Sequence, residues 1–101
     1  MANRTKKGQE THDRKVAETA RRLERTGYKV QAHLPGQPRP PIIGGHIPDI
    51  MAKKPGTTLI REVETPSTVK KDQAQHTAFR NFAAKKPGTS FRVLVAKKKK
   101  K

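Results

Sequence analysis

Three carboxylates stand where they could act together. Asp49 lies in one short apolar run, His46-Ile-Pro-Asp-Ile-Met, and Glu62 and Glu64 lie in a second, Leu59-Ile-Arg-Glu-Val-Glu, with Lys54-Pro-Gly as a turn between them. Strand side chains alternate faces, so Glu62 and Glu64 project to one side together with Ile60, and a hairpin brings Asp49 on the partner strand to the same patch. The chain has only 8 Asp and Glu against 24 Lys and Arg. Like charges gathered in this way repel, and a divalent cation among oxygen donors relieves the repulsion.

The spacing of Pro48-Asp49 and Glu62-Val63-Glu64 resembles the PD-(D/E)XK phosphodiesterase superfamily, which includes restriction endonucleases and archaeal Holliday-junction resolvases. With His12, Gly27-Tyr28, Leu34-Pro35-Gly36 and Thr65, the resemblance covers about residues 12 to 96 and is nearest to small prokaryotic members. It implies an αβββαβ core, a mixed sheet flanked by helices, and Mg²⁺- or Mn²⁺-dependent hydrolysis of phosphodiester bonds. Asp49, Glu62 and Glu64 become the metal residues, helped by the Val63 carbonyl. The metal makes a water nucleophilic and steadies the developing oxyanion. One position departs from the pattern: Glu64 stands where most members carry Lys. It cannot supply positive charge, and would serve as general base or as ligand of a second metal.

The elements that must position these groups can be read in order. Residues 1–9 are basic and aperiodic and read as a mobile tail, leaving 10–96 as the single domain. Val16, Ala20, Leu23 and Gly27 recur at helical spacing, so a helix is expected from about Asp13, capped by Thr11 or Asp13 and ended at Thr26-Gly27. His12 then sits at the helix mouth facing the sheet, and Glu18 faces solvent. Tyr28 to Leu34 alternates as a half-buried strand, and Pro35 to Pro41 is a stiff loop with Arg39 as its only charge. After the hairpin, Pro66-Ser67-Thr68 signals helix entry, and Val69 to Ala84 is expected as the second helix. Phe79, Phe82 and Ala83 form its apolar face. Gln75 falls on that face, bordered by Asp72 and His76, so Gln75 is expected to look toward the carboxylates and, with His76, to orient water or touch phosphate. Phe91 to Val95 is a last strand, and 97–101 is a lysine run.

Composition fixes the partner class. Formal net charge is +16, and trimming both tails leaves 16 basic against 8 acidic residues. A field of this sign gathers polyanions, so nucleic acid, DNA first, is the expected partner and a membrane surface is not. His12, Arg39, Lys53, Lys54, Lys85, Lys86 and Lys97 are the expected phosphate contacts. Ala-Lys-Lys-Pro-Gly-Thr occurs at 52–57 and again at 84–89, a turn used twice whose lysines either grip phosphates or keep the chain soluble. Absence of Cys and of any long apolar run fits a cytoplasmic protein, and a core this small predicts marginal stability or a homodimer.

Two functions follow as expectations: a metal-dependent DNA endonuclease or junction resolvase, or a non-catalytic basic nucleic-acid-binding protein, whether a decayed nuclease or of ribosomal or chromatin type. Three carboxylates on one patch weaken attraction for phosphate and favour the enzyme. Against it, Glu-Val-Glu could be the polar face of an edge strand and Asp49 the start of a turn. The four histidines are too scattered in sequence to read as a metal site.

Overall fold

Pro55-Gly56 reverses the chain between two apolar runs, and that hairpin is the centre of the fold. The computed structural model describes residues 6–65 and 72–96. Its elements are α1 (Lys6–Arg25), β1 (Lys29–Ala32), β2 (Ile50–Lys54), β3 (Thr57–Glu64), α2 (Gln73–Lys85) and β4 (Thr89–Val95), the αβββαβ order expected from the sequence. The strands form one mixed sheet in the order β1-β2-β3-β4. β1, β2 and β3 pair antiparallel, and β4 runs parallel to β3. A parallel pair needs a crossover, which α2 supplies.

Each face of the sheet carries one helix and one apolar cluster. Val16 and Ala20 of α1 pack on Ala32, Ile50 and Val63. Phe79 of α2 packs on Met51 and Ile60, with Phe82 and Phe91 beside it. The alternation along β3 thus sends Val63 to the α1 side and Ile60, Glu62 and Glu64 to the α2 side. β3 is an internal strand buried on both faces, so Glu-Val-Glu is not the polar face of an edge strand.

The first helix begins earlier than the sequence predicts and takes in part of the expected tail. Gln9 Nε2 donates to Asp13 Oδ1 at 2.8 Å, one helical turn on, so the helix runs through Thr11 and Asp13 rather than starting at them. Its end falls where expected. Tyr28 N donates to Leu23 O and Gly27 N to Glu24 O, each at 3.1 Å, with Gly27 at φ 96°, the bonding pattern of a Schellman cap. β1 is shorter than the alternating run: His33 N still donates to Asp49 O in the ladder's register, but Ala32 N turns to Pro38 O and Leu34 N to Ala32 O as the proline loop begins. α2 begins at Gln73, with Asp72 at its N-cap position. The expected entry at Pro66–Thr68, residues 69–71, the first five residues and the lysine run with Lys97 lie outside the described residues.

Candidate functional site

Where β2 and β3 begin to part, side chains take over the work of the backbone ladder. Asp49, the residue before β2, donates its N–H to Glu62 Oε1 at 2.7 Å, and Val63 N donates to Asp49 Oδ2 at 2.8 Å. These reciprocal bonds fix both carboxyl groups to the opposite strand's backbone. From α1, the His12 ring lies between two acids, with Nε2 3.1 Å from Asp49 Oδ2 and Nδ1 2.9 Å from Asp13 Oδ1. From the first turn of α2, Gln75 Nε2 donates to Glu62 Oε2. The helical stripe that carries Phe79 therefore does bring Gln75 to the carboxylates.

His76, next on that helix, lies with Nε2 2.9 Å from Glu64 Oε2. Glu62, Glu64 and His76 are 1%, 0% and 3% exposed. One ligand atom from each lies within 4.8 Å of the others, and this buried cluster could hold a metal ion. The four histidines are too scattered in sequence to read as a metal site, yet the fold brings one of them, His76, into this cluster. Distance in sequence misled, because α2 crosses back over β3 and sets residue 76 against residue 64. The available signal was the spacing of three between His76 and Phe79, which puts both on the inward face of one helix.

Burial and the neighbouring Asp49 push the Glu62 carboxyl up to about 9; Glu64 adds to the rise, while bonds from Asp49 N and Gln75 oppose it. Burial thus favours the protonated form of Glu62, and positive charge placed here would favour the carboxylate instead.

Asp49, Glu62 and Gln75 line a cleft of about 720 Å³. His12 and Asp13 of α1, His33 to Pro35 and Gly45 to Ile47 line it as well. Asp49 Oδ1 has no partner among the described residues, which leaves it available to a ligand. Glu64 and His76 do not line the cleft and sit behind Glu62. The set is thus layered, with Glu62 belonging both to the cleft and to the buried cluster.

No protein family, curated protein or solved structure matches this chain.

The remaining basic residues are distributed away from the carboxylates. Arg39 is exposed on the proline loop beside a pocket of about 360 Å³, and its carbonyl accepts from Gln31 Nε2 at 3.1 Å. Lys53, Lys54, Lys85 and Lys86 are exposed at the opposite end of the sheet. Among the described residues no helix is long and apolar enough to cross a membrane. Chemically, the donor set of two carboxylates and an imidazole, with Asp49 beside it, suits a divalent ion; the oxygens fit Mg²⁺, and the imidazole inclines the cluster toward Mn²⁺ or a later transition metal.

Proposed function

We propose that this chain is a divalent-metal-dependent phosphodiesterase acting on nucleic acid, a DNA endonuclease or junction resolvase. The observation that carries the reading is the presence of Asp49, Glu62 and Gln75 together in the lining of one cleft in a chain of net charge +16. A surface of that charge has no use for buried carboxylates unless something cationic meets them, and the raised Glu62 carboxyl marks where that charge belongs.

Asp49 Oδ1 and the Glu62 carboxylate would hold Mg²⁺ or Mn²⁺. Bound there, the ion supplies Lewis acidity toward a phosphoryl oxygen and acidifies a water. His12 and the Val63 N–H keep Asp49 in one orientation, and Gln75 does the same for Glu62. Glu64 takes the place of the usual lysine but acts as a positioning residue, since it faces His76 and not the cleft.

A non-catalytic binder is the second reading, and the unpaired cationic surface favours it: among the described residues every ion pair is made by a histidine. Incubation with plasmid, linear and four-way-junction DNA, with and without Mg²⁺ or Mn²⁺, separates the two. Metal-dependent cleavage that Asp49→Asn abolishes supports the enzyme. Tight binding without cleavage under any metal leaves the binder.

A further inference from the structure

The repeated hexapeptide Ala-Lys-Lys-Pro-Gly-Thr is brought together with itself in space. Its first copy forms the β2–β3 turn and its second joins α2 to β4. Gly56 and Gly88, at the same position in each copy, have φ of 77° and 76°. Thr58 N donates to Gly88 O at 2.8 Å, and Thr58 pairs with Thr89 in the β3–β4 register. The backbones are so close that a Cβ on Gly88 would lie 2.3 Å from Gly56 O.

The lysines repeat as well. In each copy the second lysine lies over an aromatic ring, Lys54 Nζ at 4.4 Å from the Tyr28 centroid and Lys86 Nζ at 5.1 Å from that of Phe82. The first lysine of each copy, Lys53 or Lys85, is exposed, and exposed Lys29 stands directly opposite Lys53 in the β1–β2 register. Like charges opposed across a strand pair destabilise it, and among the described residues no carboxylate lies within ion-pair distance of any of the five.

We propose that the two copies form one docking surface for the phosphate backbone of nucleic acid, at the end of the sheet opposite the carboxylates. It rests on the nucleic-acid reading above for its partner, and not on catalysis. Five cations without internal counter-charge match a polyanion with regularly spaced charges. A lipid surface fits less well, because among the described residues the exposed large apolar ones, Ile42 and Val95, belong to neither turn and give the patch no anchor to insert. Lys53 is four residue steps from Asp49, about 13 Å at the usual rise, so a duplex docked at the turns with its axis along the strands reaches the level of the cleft after roughly four base pairs.

The test compares duplex binding across a salt series for the full chain, for Lys29→Ala/Lys53→Ala/Lys85→Ala, and for Arg14→Ala/Arg21→Ala/Arg25→Ala, which removes equal charge from exposed positions of α1. The lysine variant is expected to lower the slope of log affinity against log salt by about two to three units, and the α1 variant by less than about one. Replacing the same lysines by Gln, which keeps more of the side chain, gives the same loss. Equal losses in the two variants, an unchanged slope in the lysine variant, or wild-type binding to phosphatidylcholine–phosphatidylserine vesicles as tight as to duplex would each overturn the proposal. The readout is binding alone, so a wild type that binds but never cleaves sinks the nuclease reading and leaves this one standing.

Discussion

His76 Nε2 lies 2.9 Å from Glu64 Oε2, so this buried acid is closed over by an imidazole from the crossover helix. Glu64 is 0% exposed, and Glu62 beside it feels its charge. A lysine introduced there would bury an ammonium group against a histidine. We expect Glu64→Lys to cost about 3 kcal/mol or more in urea unfolding and, on the proposed nuclease reading, to abolish cleavage. A Glu64→Lys protein as stable as the wild type would contradict this placement of Glu64.

Stability of the metal-free protein should fall as pH rises. The Glu62 carboxyl, near 4.5 in an unfolded chain, is pushed up to about 9 by burial and by Asp49 and Glu64. Between those values the folded chain keeps a proton that the unfolded chain has released, so its stabilising effect is complete below about 4.5 and is lost as pH climbs through about 9. Denaturant unfolding at pH 5, 7 and 9 reads this trend, and Glu62→Gln should flatten it.

Gln75 touches Glu62 but is itself half-buried, so its loss should be felt in function before stability. Gln75→Ala is expected to lower metal affinity or cleavage by about 10- to 100-fold, as for other groups that orient a ligand, with little change in unfolding midpoint. A large loss of stability with unchanged metal affinity would make Gln75 a structural cap.

Much of this arrangement was legible in the chain. Period-two alternation placed Glu62 and Glu64 on the side of Ile60, and helical periodicity placed Gln75 opposite them. Both depend on local geometry, which sequence spacing encodes directly. What was not legible depends on long-range contact. The pairing of His76 with Glu64 needs the crossover of α2 above β3, and the internal place of β3 needs β4 to pair parallel with it. The early start of α1, where Gln9 bonds Asp13 one turn on, falls in a stretch whose basic composition reads as tail.

The stacked turns give an internal comparison. Gly56 and Gly88 share a φ near 77°, but a Cβ meets nothing within 4 Å at Gly56 and Gly56 O at 2.3 Å at Gly88. Both alanine substitutions are strained, and each should cost more than about 1 kcal/mol. Gly88→Ala should cost clearly more, because a backbone oxygen must also move. Equal losses in urea unfolding would show that the two turns are not in contact.

Whether these carboxylates hold a metal is tested most directly by calorimetric titration of the full chain with Mn²⁺ at pH 7 in two buffers of different ionisation enthalpy. Burial favours the protonated form of Glu62 in the empty site, so the account predicts binding accompanied by release of about one proton, with both binding and release greatly reduced in Glu62→Gln. No binding, or binding that Glu62→Gln leaves intact, would contradict it.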